Sequence, residues 1–211
     1  MPRSAERGAE SLPVPEPGRR RLPREARLAQ LTTAAMPVVA SGGLADFSLD
    51  EVTARAGVTR KLLYHYFPRG RPDVVLAVAE RAGHELTSGW ILDESIPLDQ
   101  RLAANVGRIV RHAMQPSDAW RIYRLARSAR EPEISASVDR FVEIVIASIA
   151  QNHLGTRAPA PPVRMAIRGY LAFFESVLDD ARGTTIALES VLGMLNAVLR
   201  ATVEAGTAVP E

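Results

Sequence analysis

Residues 59–65 bring together side chains that suit contact with a polyanion. In the run Thr-Arg-Lys-Leu-Leu-Tyr-His, Arg60 and Lys61 supply positive charge, while Tyr64 and His65 supply further polar donors. At helical spacing these four side chains face outward, away from the leucines. Arginine is the side chain that most often forms bidentate hydrogen bonds with guanine, and lysine also serves there. The pattern favours a nucleic-acid groove; a solvated basic face on an ordinary helix pair is the alternative.

Two short helices joined by a tight turn are predicted to position these side chains. Ser48 and Glu51 have the spacing of a capping box at the start of the first helix. Gly57 suits the exit from that helix through positive φ, and Thr59 suits the N-cap of the second helix. Leu63 then faces the core. A helix-turn-helix places the N-terminal residues of its second helix against base edges, so DNA contact is expected there.

A family resemblance covers residues 24–80. This segment resembles the DNA-binding domain of the tetracycline-repressor (TetR) type regulators. The shared features are a long first helix that ends in a small-residue loop and the runs Phe47-Ser48-Leu49, Ala56-Gly57-Val58-Thr59 and Leu63-Tyr64-His65-Tyr66-Phe67. The resemblance implies an all-α fold, with an N-terminal three-helix helix-turn-helix DNA-binding domain and a C-terminal helical ligand-binding and dimerisation domain.

The resemblance also implies a role for each matching side chain. The positions that contact bases in this family correspond to Thr59, Arg60, Lys61 and Leu62. The positions that contact phosphates correspond to Ser48, Tyr64 and His65; a helix N-terminus such as the one Ser48 opens is also an anion site.

The sequence departs from the family pattern at three positions. Lys61 stands where a small residue is usual, and Leu62 either touches a thymine methyl or, as we favour, packs in the core. Gly70 stands where the family usually has a phosphate-binding lysine. Arg69 or Arg71 is expected to replace that lysine.

The composition limits the class of protein. The absence of cysteine excludes disulfides and cysteine-ligated zinc. The net charge of +2 is uneven, because residues 1–72 carry twelve basic and seven acidic residues and residues 73–211 carry fourteen and seventeen. This asymmetry indicates a polyanion-binding end and a mildly acidic body. The N-terminus lacks the pattern of a secretory signal, and no apolar run approaches the roughly 20 residues of a membrane span, so a cytoplasmic location is expected.

Three regions are expected along the chain. Residues 1–21 are predicted to be a disordered Arg- and Pro-rich tail. Its end, Gly18-Arg19-Arg20-Arg21, could contact a minor groove, although a solvated tail is favoured. The DNA-binding domain is expected over residues 22–71, and the ligand-binding and dimerisation domain over residues 72–206.

Helices are predicted for most of the chain after the tail. The first is predicted from Pro23 to Ala40, with a kink or an early end at Pro37, because proline removes a hydrogen bond and clashes with the preceding turn. The small residues after Ala40 are expected to stop it. Beyond the helix-turn-helix, further helices are predicted over 72–90, 98–115, 117–129, 133–154, 162–181 and 184–204.

The last two helices carry wide apolar stripes at i, i+3, i+4 and i+7 spacing. The resemblance implies that these helices pair with their two-fold mates as a four-helix bundle; the alternative is that the protein's own core covers the stripes. Gly169, Gly193 and Ala197 would allow close helix approach. The predicted homodimer interface comprises Ile167, Tyr170, Phe174, Leu178, Leu188, Val191, Leu192, Leu195 and Leu199.

Large apolar and amphipathic side chains in the middle helices suggest a small-molecule pocket, since such sites are mostly apolar with a few placed polar groups. The candidates are Trp90, Met114, Trp120, Tyr123, Phe141 and Phe173. Plain core packing is the alternative for each. The sequence names no effector, and a bulky, mainly apolar molecule is expected.

No pattern typical of catalysis occurs. The four histidines lack metal-binding spacing, and no P-loop or nucleophile-elbow motif is present, so neither an enzyme nor a cofactor is predicted. Two interpretations compete. The first is a repressor that binds a pseudo-palindromic operator as a dimer and is released by a small-molecule effector. The second is a helix-turn-helix regulator without a small-molecule ligand, controlled by a protein partner or by its abundance.

Overall fold

Residues 22–209, which the computed structural model describes, form nine α-helices and no β-strand. The helices are α1 (Arg24–Asp46), α2 (Leu49–Ala56), α3 (Arg60–Tyr66), α4 (Arg71–Thr87), α5 (Leu98–Met114), α6 (Asp118–Arg127), α7 (Pro132–Leu154), α8 (Pro161–Ala181) and α9 (Leu188–Thr207). The expected all-α fold is confirmed for this part of the chain. The predicted tail, with its arginine-rich end, lies outside the described residues.

The α2–α3 turn has the predicted caps. The Ser48 hydroxyl accepts a hydrogen bond from the backbone N–H of Glu51 at 3.2 Å. The Glu51 carboxylate does not complete a capping box; it pairs with Arg55 at 3.0 Å instead. Gly57 ends α2 in the left-handed conformation, with φ 63° and ψ 37°, which costs a glycine little. The Thr59 hydroxyl then accepts from the N–H of Leu62 at 3.3 Å, which fixes the start of α3.

Helix α1 runs further than predicted, because Pro37 does not end it. Buried side chains before and after the proline, including Met36, Val38 and Val39, hold the helix through packing despite the missing backbone hydrogen bond. The helical conformation is broken only at Gly43, with φ 80° and ψ 172°. By length and composition alone, α1 is also apolar enough to cross a membrane. Its packing against α2, α4 and α6 makes it a core helix of this fold.

Helix α4 joins the N-terminal and C-terminal parts of the structure. It packs against α1 on one side and against α6 and α7 on the other. It ends at Thr87 rather than at the predicted Trp90, because Ser88 is extended and Gly89 has φ 77°. Trp90 therefore belongs to the segment between α4 and α5. At the other end of the chain, α8 and α9 form an antiparallel pair that packs on α5 and α7.

Gly206 is the closest point of approach between α9 and α8, and replacing it is expected to destabilise the fold. A Cβ at this position would lie 2.8 Å from the backbone Cα of Val163. Because backbone cannot rotate away as a side chain does, Gly206→Ala should lower the free energy of unfolding by about 1–3 kcal/mol, measured by chemical denaturation.

The matched control is Gly107→Ala in α5. There the nearest atom to an added Cβ is 3.5 Å away, on the flexible side chain of Arg111. The higher helix propensity of alanine should leave the unfolding free energy unchanged or raise it by up to about 1 kcal/mol. Equal effects of the two substitutions would contradict the close α8–α9 contact.

Candidate functional site

The outer face of α3 is exposed as the sequence predicts. Arg60, Lys61, Tyr64 and His65 are all exposed, whereas Leu63 is completely buried. The exposed side chains form one continuous polar and basic surface along the helix. This surface is free to contact a ligand as wide as a DNA groove.

Leu62 and the remaining residues of the turn lie at the edge of this face. Leu62 and Tyr66 are partly buried, between the exposed and the core positions. Phe67 is 3% exposed and closes the core behind α3. Val58 in the turn is partly buried against the same core. Because Leu62 is only partly buried, its side chain can either pack against the core or make an apolar contact in the DNA groove.

Arg60 is held by an exposed ion pair in the free protein. Its guanidinium lies 3.2 Å from a carboxylate oxygen of Asp50 on α2, and both side chains are more than half exposed. Pairs of this kind contribute little net free energy in water. Arg60 can therefore leave Asp50 for an acceptor on another molecule at small cost.

Gly70 shows why the family's lysine position is occupied differently here. The residue precedes α4 with φ 70° and ψ −119°, a conformation that L side chains rarely adopt. A Cβ there would meet the ring of Tyr64 at 3.2 Å. The aromatic ring of the α3 face therefore packs over the glycine at the start of α4.

The two arginines beside Gly70 are both engaged inside the structure. Arg69 donates to Asp73 at 2.6 Å and makes two bonds of 2.8 Å to the carboxylate of Glu133 at the start of α7. The guanidinium lowers the pKa of Glu133 below its usual range. Arg71 donates to the carbonyl oxygen of Phe47 at 2.9 Å and lies over its ring. Arg69 thus ties the DNA-binding part to α7, and Arg71 supports the loop that leads to Ser48.

Two adjoining apolar cavities lie between α5, α7 and α8. The first encloses about 50 Å³ and is lined by residues that include Trp90, Asn105, Asn152 and Tyr170. The second encloses about 30 Å³ and is lined by residues that include Leu86, Trp120, Tyr123, Phe141 and Glu175. The wall shared by the two cavities consists of Ile109, Val145, Leu171 and Phe174. Both cavities are smaller than the 300–1,000 Å³ that is typical of drug-sized ligands.

Four of the six candidate pocket residues line these cavities, and two do not. Trp90 lines the first cavity, and Trp120, Tyr123 and Phe141 line the second. Met114 and Phe173 are 37% and 38% exposed and lie on the surface. Met114 is the last residue of α5, and Phe173 is on the outer face of α8. The direction of a side chain depends on its position around the helix axis and not on its residue type. For this reason these two large apolar side chains face outward.

A charged network closes the second cavity at its polar end. The Tyr123 hydroxyl donates to Glu175 at 2.6 Å, and Arg124 donates to the other oxygen of the same carboxylate at 2.9 Å. Burial and the bond to Glu175 raise the pKa of Tyr123. Arg124 also pairs with Asp179. The sequence analysis does not single out Glu175, because its partners Tyr123 and Arg124 lie 52 and 51 residues away in the chain.

His153 on α7 makes stability depend on pH. Burial lowers its pKa below the ordinary value of 6.5, and the side chain hydrogen-bonds the carbonyl oxygen of Ile149 at 3.0 Å. Above pH 6.5 the imidazole is neutral in both states, so the full free energy of unfolding is present. As the pH falls through the depressed folded-state pKa, the unfolded chain binds more protons and stability is lost.

The substitution His153→Gln should therefore flatten the fall in unfolding free energy below pH 6.5. His112 acts in the same direction, so part of the slope should stay. Denaturation series at several pH values measure the effect, with exposed His84→Gln as the control. The assignment of this pH dependence to His153 would be contradicted if the slope of unfolding free energy against pH stayed unchanged in His153→Gln and fell in the control.

The residues predicted to form a dimer interface lie mostly inside the single chain. Seven of them are buried: Ile167, Tyr170, Phe174, Leu178, Val191, Leu195 and Leu199. They pack between α8, α9 and the rest of the body, so the chain's own core covers most of the predicted interface residues. Leu192 is partly buried against the core, and Leu188 is 41% exposed.

A second apolar face of α8 and α9 is exposed instead. On α8, Met165 and Phe173 are 71% and 38% exposed, and on α9, Leu188 and Met194 are 41% and 44% exposed. Apart from the backbone of its own helix and its chain neighbours, no atom of residues 22–209 lies within 4 Å of a Cβ built on Gly169 or Gly193. The exposed face therefore combines large apolar side chains with small residues at which another helix could approach closely.

The comparison with known proteins identifies the N-terminal part of the chain. Residues 31–78 match the model of the bacterial regulatory proteins of the tetR family. The chain is 33% identical over 138 residues to FasR, an HTH-type transcriptional activator of Mycolicibacterium smegmatis. The match covers 64% of this chain and 63% of the length of that relative.

Solved structures of tetR-family regulators share the fold of this chain. A tetR-family regulator from Streptomyces coelicolor superposes with a TM-score of 0.71 at 23% identity, over 87% of this chain and 83% of the other. LfrR from Mycobacterium smegmatis, solved in complex with proflavine, has a TM-score of 0.53 at 21% identity, over 85% and 97% of the two chains.

Proposed function

We propose that this chain, a TetR-family transcription regulator with a helix-turn-helix DNA-binding domain, binds a pseudo-palindromic operator in the cytoplasm as a homodimer. The observation that carries the proposal is the exposed face of α3, on which Arg60, Lys61, Tyr64 and His65 point to solvent together. Base edges in the major groove and phosphates beside it are the partners that match these side chains.

Base and phosphate contacts divide between the two ends of this face. Thr59, Arg60, Lys61 and Leu62 at the start of α3 are the proposed base contacts, because the first residues of the second helix enter the groove. Tyr64 and His65, one turn further on, are the proposed phosphate contacts. Ser48 adds a phosphate contact through its hydroxyl and the N-terminus of α2.

Arg69 and Arg71 play a smaller part at the phosphates than the sequence suggests. Arg69 is already neutralised by two carboxylates, and Arg71 is bonded to a backbone carbonyl. A phosphate must compete with these partners. Lys61, for which the structure gives no ion pair within residues 22–209, supplies charge at the groove more readily.

The dimer is proposed to form through the exposed α8–α9 face rather than through the buried stripes. Met165, Phe173 and Met194 would lie against the two-fold mate, with Gly169 and Gly193 at the points of closest approach. A two-fold dimer sets two α3 helices on one side of DNA, where half-sites recur about every 34–36 Å.

Effector control is proposed to act through α4. Leu86 near its end lines the second cavity, and Trp90 just beyond it lines the first. At its start, Gly70 supports Tyr64 and Asp73 holds Arg69. The helix has 17 residues, or about 25 Å at 1.5 Å per residue. A ligand that enlarges the cavities would tilt α4, change the spacing of the two α3 helices and release DNA.

The effect of DNA binding on transcription has two candidates. Repression follows if the operator overlaps a promoter. Activation is the second candidate, because the relative at 33% identity is a transcriptional activator. Control by a protein partner or by abundance, with no small-molecule ligand, is the alternative to effector release, and it gains weight from the small cavity volumes in this conformation.

Footprinting on DNA that binds the protein tests the dimer and its operator together. Two protected half-sites related by a two-fold axis, with centres one helical turn or a multiple apart, are expected. Insertion of half a turn of DNA between them should abolish binding, because one α3 helix then faces the wrong side. A single protected half-site, insensitive to the insertion, would contradict the proposal.

A further inference from the structure

Two residues in the wall of the first cavity each carry a buried hydrogen-bond donor without a partner. Within residues 22–209, neither the indole Nε1 of Trp90 nor the hydroxyl of Tyr170 has a hydrogen-bond partner, and both residues are in the cavity wall. Tyr170 is only 4% exposed. Buried polar groups are nearly always bonded, so two unpaired groups around one cavity indicate a missing acceptor.

Both groups can donate a hydrogen bond under ordinary conditions. An indole N–H has no acceptor atom. Burial raises the pKa of Tyr170 above its ordinary value, so the phenol keeps its proton. The two side chains can therefore each donate one hydrogen bond to a ligand that reaches them.

The amide groups in the same wall are already satisfied. Asn105 accepts from the backbone N–H of Ile91 at 2.8 Å and donates to its carbonyl oxygen at 2.9 Å. The Asn152 oxygen accepts from Arg101 at 2.9 Å, and its nitrogen donates to the carbonyl oxygen of Ser148 at 3.0 Å. Neither amide is bonded to Trp90 or to Tyr170 within the described residues.

A positively charged side chain, Arg101, lies buried behind the cavity wall. Arg101 is 6% exposed, and both of its hydrogen bonds within the described residues go to the neutral Asn152. A buried guanidinium bonded to an amide adds positive potential on this side of the cavity, which the exposed carboxylate of Asp93 offsets only in part. This potential favours an electron-rich oxygen and opposes a cationic ligand.

We infer that the first cavity binds an apolar molecule with a carbonyl oxygen, which accepts hydrogen bonds from Trp90 Nε1 and from the Tyr170 hydroxyl. The inference rests on the proposed function, since it names the chemical class of the effector. Leu171 and Phe174, which separate the two cavities, move apart to admit the ligand. The ligand then binds the enlarged state better than the closed one, which is the differential affinity that effector control requires.

Three small probes with one carbon skeleton test this assignment: acetophenone, ethylbenzene and the 1-phenylethylammonium cation. Dissociation constants are measured with the free protein by ligand-observed NMR titration. Acetophenone should bind at least as tightly as ethylbenzene, although it is the more water-soluble of the two, and the cation should not bind. Tyr170→Phe should weaken acetophenone binding about tenfold relative to ethylbenzene, because it removes one donor and little volume.

Trp90→Phe is the second variant and should shift the ratio of the two dissociation constants in the same direction. Tyr66→Phe in α3 is the control, since Tyr66 lines neither cavity; it should keep the wild-type ratio. Circular dichroism confirms that each variant is folded, and Trp90→Phe decides the outcome if Tyr170→Phe does not fold.

Two results would overturn the inference. The first is that ethylbenzene binds more tightly than acetophenone and that the ratio of their dissociation constants is the same in wild type and in both variants. The second is that acetophenone does not bind. DNA binding is measured on the same preparations without probe. Intact DNA binding together with either of these results rejects only the ligand class. Loss of DNA binding in the wild-type protein would instead count against the proposed function.

Discussion

Arg60→Ala is expected to relax the sequence preference of DNA binding, with a loss of roughly 1–3 kcal/mol of discrimination at one base pair in each half-site. The Arg60 side chain lies at the start of α3, where it is exposed and, among residues 22–209, is held only by Asp50 on α2. Breaking that pair costs little, so the guanidinium is available for a guanine edge. Affinity for the operator and for each single-base variant of it, measured by anisotropy, gives the loss position by position.

Tyr64→Phe is the matched comparison from the same helix face. The ring packs over Gly70, so the phenylalanine keeps the packing and removes only the hydroxyl. A phosphate contact carries no sequence information. Binding to all sequences should therefore weaken alike, with the preference unchanged. If Arg60→Ala alters neither affinity nor preference, the assignment of the base-contacting face is wrong.

Gly193→Glu is expected to convert the protein to a monomer and to remove most of its operator affinity. Gly193 lies open on the exposed α8–α9 face, so the glutamate is solvated in the single chain and the fold is kept. In the proposed dimer the same carboxylate is buried without a partner, which costs several kcal/mol. Sedimentation and DNA anisotropy measure the two effects.

Ala136→Glu provides the control for this charge. Ala136 is exposed on α7, outside the proposed dimer face, and a glutamate there is four residues before Arg140, a favourable spacing. The oligomeric state and DNA affinity should stay at their wild-type values. A Gly193→Glu protein that stays dimeric and binds the operator normally would place the dimer interface elsewhere.

The local features of the DNA-binding site could be predicted from the sequence because they depend on neighbours in the chain. The caps of Ser48 and Thr59, the turn at Gly57 and the inward direction of Leu63 follow from short spacings. Each is decided within one or two helical turns. The existence of the long C-terminal helices was predictable for the same reason.

The contacts between distant segments could not be predicted in this way. An apolar stripe shows that a helix face is buried, but it does not show what buries it. For this reason Ile167 and Leu195, assigned to a partner subunit, lie in the chain's own core. The pairing of Arg69 with Glu133 joins residues 64 positions apart and has no local signal. Pro37 does not end α1, because the tertiary packing of this helix outweighs one missing hydrogen bond.

The most direct test of the central claim is the binding of the purified full-length protein to DNA from around its own gene, compared with scrambled DNA by anisotropy at two salt concentrations. The account predicts tight, sequence-selective binding that persists at the higher salt concentration, because base contacts by α3 add to the phosphate contacts. Equal binding to both DNAs that collapses with salt would show the phosphate contribution alone, and it would contradict specific recognition of this DNA by the α3 face.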